Sequence, residues 1–218
     1  AGGAAAARPW DKYVLAPAGR VVAPQAIRAA AGAVTPERDG SSLFPVFLRL
    51  NPDQHAFVLL DFGKEVAGFV SVEIGSVGDS SARLGLTFSE SVNYAACPSA
   101  ATNSHCSTED GRSNPQLYSG DDSNGGGDPS PHPDGAVLTG AVDPYSVYRV
   151  SDAHLRGGFR YLNIFVVGNG TTGARNNNSA VIEITSVNVT FTAAPHMTDL
   201  RAYKNHFYSS DDLLNRIW

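Results

Sequence analysis

Phe69-Val70-Ser71-Val72-Glu73-Ile74, followed by Arg83-Leu84-Gly85-Leu86-Thr87-Phe88-Ser89, carries the pattern that decides the fold class. Val70, Val72 and Ile74 alternate with Phe69, Ser71 and Glu73. Leu84, Leu86 and Phe88 alternate with Arg83, Gly85, Thr87 and Ser89. A period of two puts one set of side chains on a core and the other toward water, as in half-buried antiparallel strands. Working outward, the same reading predicts strands over Ala56 to Asp61, Tyr145 to Val150, Phe159 to Val167 and Val181 to Phe191. Arg160 to Val167 is apolar on both faces and belongs in the middle of a sheet. The expected fold is all-β: an antiparallel, jelly-roll-like β-sandwich with the start of a helix at its C-terminal end. Roughly 200 residues is an ordinary size for one such domain.

Helix signals are few. Pro24 to Ala33 reads as a short helix, with Pro24 in the first turn and Gly32 near the end. At the other end, Phe207-Tyr208-Ser209-Ser210-Asp211-Asp212-Leu213-Leu214-Asn215-Arg216-Ile217-Trp218 offers Ser209 and Ser210 as N-caps, two carboxylates in the first turn, then apolar residues at helical spacing. Nothing closes that helix, so the residues read as the front part of a longer protein. The expected organisation is an N-terminal arm (1–35), a sandwich (36–200) with a long Ser, Asn, Asp, Gly and Pro-rich loop at 91–140, and a linker with the first helical turns (201–218).

Charged residues make up only 17% of the chain and the net charge is −5, with no basic stripe to neutralise phosphates, which argues against nucleic acid. No run of eighteen apolar residues exists to span a membrane as a helix. Asn169-Gly170-Thr171, Asn177-Asn178-Ser179 and Asn188-Val189-Thr190 are acceptors for N-linked glycans, which have meaning in a secretory pathway. The small-residue start, Ala1-Gly2-Gly3-Ala4, resembles what signal-peptide removal leaves. A secreted, extracellular location is expected. In such a compartment Cys97 and Cys106, the only cysteines, are expected to form a disulfide, worth about 2 to 3 kcal/mol for so short a loop. A metal or redox pair with His105 is the competing reading, but the spacing matches neither a Cys-x-x-Cys nor a zinc pattern.

Catalytic constellations are missing from the motifs: no nucleophile elbow, no His-Glu-x-x-His, no phosphate-binding loop. Glu90, ending one strand, and Arg160, starting another, read either as a catalytic acid with its orienting arginine or as a structural ion pair. The ion pair is preferred because nothing nominates the second carboxylate a glycosidase needs. Asp121, Asp122, Asn124 and Asp128, with Asp134 beyond, place oxygen donors on a Gly-rich loop. Calcium is the ion such a loop would take, although the closing Glu of an EF-hand is missing and a simply solvated loop is the alternative. No other cofactor is implied. Tyr94 and Tyr118, with Tyr145 and Tyr148, lie in or beside the long loop, where rings can stack on sugars or pack at a rim.

Five motifs then occur in order: Lys12-Tyr13-Val14-Leu15-Ala16-Pro17, Asp61-Phe62-Gly63-Lys64-Glu65-Val66-Ala67-Gly68, Leu86-Thr87-Phe88-Ser89-Glu90-Ser91, Arg156-Gly157-Gly158-Phe159-Arg160-Tyr161 and Asp199-Leu200-Arg201-Ala202-Tyr203. Together with the terminal segment from Phe207 to Trp218, the set resembles the amino-terminal part of fungal α-L-rhamnosidases of glycoside hydrolase family 78. Residues 94–140 depart from that pattern. The resemblance implies a sandwich that hands over to an (α/α)6 barrel, the partner that would hold the general acid and base of an inverting mechanism, with a terminal α-L-rhamnoside as glycan substrate. No residue of these 218 inherits a catalytic role, and the Asp61, Glu90 and Arg160 motifs carry over as framework. The alternative expectation is a carbohydrate-binding module for rhamnose or another glycan, with calcium in the Asp-rich loop as one form of it.

Overall fold

The structure, a computed structural model, describes residues 8–34, 42–49, 56–78, 82–90, 92, 137–167, 181–202, 204–217. Ten strands are described: β1 (Val21–Val22), β2 (Ala26–Ala31), β3 (Ala33–Val34), β4 (Val46–Arg49), β5 (Phe57–Val77), β6 (Arg83–Ser89), β7 (Val137–Ala141), β8 (Val147–Arg149), β9 (Arg156–Val167) and β10 (Val181–Phe191). One helix, α1 (Asp212–Ile217), follows them. Every described strand pairing is antiparallel.

The 21-residue β5 organises the sheet. Its first part, Phe57 to Asp61, lies between β2 and β9; its second, Gly68 to Val77, lies between β10 and β8. Between them the register against β9 slips twice, after Asp61 and after Val66, and Gly63 takes φ +74°. Such irregularities bend a strand and let it serve two layers. Val58, Leu60 and Phe62 from the first part share one buried cluster with Val70, Val72 and Ile74 from the second. The strand order β3-β4-β10-β5-β9-β6-β7 therefore curls around a single core as an antiparallel, sandwich-like fold. β9 occupies an interior position between β5 and β6, as its two apolar faces require.

The opposite face of the first part is also closed. Phe57, Leu59 and Tyr161 form a smaller buried cluster, with Ala29 and Phe165 packed on it. This explains why Ala26–Ala31 is a strand and not the expected helix. Its helix propensity is high, but as β2 it completes hydrogen bonds along β5 and offers small alanines opposite Leu59 and Phe57.

A second irregularity shapes the far end of β5. Against β10 the register moves from Ile182↔Val77 to Ile184↔Ile74, so Gly75 and Ser76 together oppose Glu183. The Glu183 carboxylate accepts from the Ser76 amide at 2.9 Å and its hydroxyl at 2.8 Å, supplying a partner to the bulged backbone and holding its own pKa below the usual carboxylate range.

Residues 21–191 make one compact unit, while 1–20 and 192–218 make another. The expected arm at 1–35 is thus divided, since residues 21–34 belong to the sheet. Within the smaller unit the Arg20 guanidinium donates to the carbonyls of Ala193, at 3.1 Å, and Ala194, at 2.7 Å, and Arg201 Nε donates to Ala16 at 2.8 Å. Trp10 stacks on His206 with centroids 3.8 Å apart, and the Tyr13 hydroxyl donates to Asp212. Asp211, not Ser209 or Ser210, caps α1: its Oδ1 accepts from the amides of Leu213 at 2.8 Å and Leu214 at 3.3 Å. Ser209 instead clasps the buried Asn215, whose Oδ1 accepts from the Ser209 amide at 2.7 Å.

Candidate functional site

The strongest concentration of charge with fixed geometry in the larger unit sits on the outer face of the first part of β5. Asp61 ends the row Phe57, Leu59, Asp61, which points away from the main core. It pairs with Ala26 of β2 on one side and Tyr161 of β9 on the other. Two arginines converge on it. Arg160 makes a two-pronged contact, Nε to Oδ1 at 2.8 Å and Nη2 to Oδ2 at 3.1 Å. Arg28 adds Nε to Oδ2 at 2.7 Å and Nη2 to Oδ2 at 2.6 Å. Arg28 stands where the β2 register slips between Ile27 and Ala29, and that slip re-aims its side chain. The Gly63 amide donates to Oδ1 at 2.7 Å, closing a turn over the carboxylate. Arg160 also lies 5.3 Å from the centroid of the Tyr161 ring.

The side chain of Asp61 is only 2% exposed, and those of Arg28 and Arg160 are 49% and 36% exposed. The paired Arg160 donors lower the carboxyl pKa to about 2; burial opposes the shift, and Gly63 and Arg28 reinforce it. A carboxylate held that low stays ionised at every physiological pH. It has no proton to donate to a leaving group, and it is far too weak a base to activate water. The cluster is therefore a positioning device that ties β2, β5 and β9 together.

Glu90 is the expected partner of Arg160, whereas the carboxylate that receives this arginine is Asp61. Glu90 lies exposed just beyond β6. Register accounts for the difference: Tyr161 lies between Asp61 and Ser89 across three adjacent strands, so β9 can present its arginine to either neighbour, and the bend in β5 brings Asp61 to it. Asp61 was legible as the end of an alternating strand two residues before a glycine. Arg28 had a weaker signal, a lone charge in Ala26-Ile27-Arg28-Ala29-Ala30-Ala31.

Asn188 lies in β10, half-buried between core-facing Val187 and Val189, and its amide donates to the Ser186 hydroxyl at 3.3 Å. Tyr148 packs against the main core, and Tyr145 projects into solvent. Cys97, Cys106, Tyr94, Tyr118, Asp121, Asp122, Asn124, Asp128, Asn169 and Asn177 lie outside the described residues. Among the described residues no group of three or more His, Cys, Asp or Glu is placed to hold a metal ion.

No protein-family profile and no curated protein matches the chain. Among solved structures it is similar to a rhamnosidase from Klebsiella oxytoca with rhamnose bound, at 16% identity and a TM-score of 0.43. The likeness covers 84% of this chain and 31% of that one, so the chain spans less than a third of the structure it resembles.

Proposed function

We propose that these residues form a non-catalytic sandwich of a secreted, α-L-rhamnosidase-like glycoside hydrolase, whose acid and base belong to an (α/α)6 domain of the same parent chain. One observation supports the reading above the others. Two motifs that carry the sequence resemblance, Asp61-Phe62-Gly63 and Arg156-Gly157-Gly158-Phe159-Arg160-Tyr161, meet in space as a charge cluster whose carboxylate cannot exchange a proton near neutrality. An inverting glycosidase needs one carboxyl with a raised pKa and a second across a water-sized gap. The framework role is what the Asp61 geometry fits.

The test is release of L-rhamnose from p-nitrophenyl α-L-rhamnoside and from a flavonoid rhamnoside. These 218 residues are expected to be inactive, and a chain extended through the following barrel active. Hydrolysis by the 218 residues alone would overturn the reading. The secretory part is tested separately, by expression through a eukaryotic secretory pathway and peptide mapping of Asn169, Asn177 and Asn188 for attached glycan.

A further inference from the structure

Asp61 holds more positive charge than its own needs. The two-pronged Arg160 contact and the Gly63 amide already give the carboxylate a neutral, hydrogen-bonded pairing, and Arg28 leaves the cluster with one positive charge in excess. Both arginines stand where strand pairing is broken. Arg28 lies at the slip between Ile27 and Ala29 on β2, and Arg160 lies between Tyr161, opposite Asp61, and Phe159, opposite Val66. Irregular pairing of this kind re-aims side chains and recurs beside functional sites. Here it turns one arginine from each flanking strand onto a single carboxylate.

The shared atom is Asp61 Oδ2. Arg28 Nη2 lies 2.6 Å from it and Arg160 Nη2 lies 3.1 Å from it, so the two terminal nitrogens are no farther apart than those distances laid end to end. Each guanidinium turns its Nε–Nη2 edge to Asp61. The end-on edge, Nη1 with the second hydrogen of Nη2, is left over on both, and neither Nη1 has a partner among the described residues. Arg160 Nη1 is not a buried atom either, and the Arg28 side chain is half exposed, whereas Asp61 is buried. Among the described residues Asp61 is the one carboxylate that acts on Arg160.

We infer that the open edges of Arg28 and Arg160 form a surface site for a single carboxylate, with buried Asp61 as the anchor that holds both guanidinium groups in place. Guanidinium forks match carboxylate and phosphate alike. Charge decides between them. One excess positive charge is neutralised by one carboxylate, while a phosphate dianion or a polyanion would add uncompensated negative charge to a chain of net −5. Because Asp61 already fixes both side chains, little rotamer freedom remains to be lost on binding. The site does not depend on the hydrolase reading, and it stands or falls separately.

The 218-residue chain is titrated at low ionic strength with sodium acetate, methyl β-D-glucuronide, methyl β-D-glucoside and inorganic phosphate, followed through the Nε–Hε signals of its arginines. Saturable shifts at Arg28 and Arg160 are expected with both carboxylates, at a Kd of ~10 mM, and none with the neutral glucoside. Equal affinity for acetate and the glucuronide makes the ligand a bare carboxylate, and tighter binding of the glucuronide makes it an acidic sugar; either result supports the site. Arg8 and Arg216, each paired with one exposed carboxylate, are the controls and should not respond. Arg28→Gln leaves the Arg160 contact with Asp61 in place and should weaken acetate binding by about tenfold or more. Arg28→Lys keeps the charge without the fork and should weaken it less. An unmoved Arg160 Nε–Hε signal in the ligand-free variants separates a lost site from a damaged fold. Failure of both carboxylates to saturate, equal shifts at Arg8 and Arg216, tighter binding of phosphate than of either carboxylate, or undiminished binding in Arg28→Gln would each overturn the inference.

Discussion

Replacing Asp61 by asparagine preserves the size of the side chain and removes the charge on which two guanidinium groups converge. A carboxyl lowered from 3.8 to about 2 by its folded surroundings corresponds to about 2 kcal/mol of stability at neutral pH. Breaking a fully buried ion pair costs about 3 to 5 kcal/mol, but Arg28 and Arg160 are half and a third exposed and regain water when released. The expected loss for Asp61→Asn is therefore about 2 to 3 kcal/mol. It is read as the shift in urea unfolding followed by circular dichroism near neutral pH. The sign of the pH dependence follows from a depressed folded pKa. The contribution is complete above the unfolded value of 3.8 and disappears as pH falls through about 2, so the parent and variant curves should converge in acid. A difference below about 0.5 kcal/mol at neutral pH, the scale of an ordinary surface substitution, or one that stays constant into acid, would refute the argument.

Three further perturbations test the frame. Phe159 is fully buried and meets Phe62 and Phe88 edge-on at 5.7 and 5.0 Å, so Phe159→Ala should cost about 3 to 5 kcal/mol in the same unfolding assay. Gly68 has φ +153°, and an added Cβ would lie 2.0 Å from the Thr190 carbonyl oxygen. Gly68→Ala should therefore separate β5 from β10 and appear as faster amide exchange at Val70 and Val189. In the smaller unit Asn215→Ala removes both contacts that its buried amide makes with the Ser209 backbone, at 2.7 and 3.0 Å. A loss of about 1 to 3 kcal/mol in local protection of Ser209, measured by hydrogen exchange, is expected.

The strands could be read from sequence wherever one face of a strand meets the core and the other does not. That condition holds for Val181–Phe191, whose alternation survives in the structure, whereas Arg83–Ser89 alternates in sequence but is buried on both faces from Leu84 to Ser89. It fails where both faces are covered or where the chain bends. The alternation reads as two strands, Ala56 to Asp61 and Phe69 to Ile74, yet the backbone runs from Phe57 to Val77 as one strand, because the bend lets each part find different neighbours. Ala26–Ala31 fails for another reason: alanine carries almost no pattern, and its strand conformation comes from Phe57 and Leu59 on β5. The Arg160 partner was hidden by distance along the chain, since Asp61 lies 99 residues away and only the strand register brings it close.

Asp61 and Tyr145 depart from the expectations of a plain sandwich in opposite ways. Asp61 is a buried charge, and every oxygen it presents is matched by a donor, so its cost is offset locally and its effect is rigidity. Tyr145 is a strained backbone under an exposed ring, and nothing in the described fold offsets that strain. The first is explained by what it holds together, and removing it should weaken the protein. The second has no such explanation, and Tyr145→Gly should strengthen the protein. Opposite signs of the stability change in Asp61→Asn and Tyr145→Gly, read as urea midpoints, would thus separate a residue that holds the sheet together from one that only strains it; equal signs would refute the contrast.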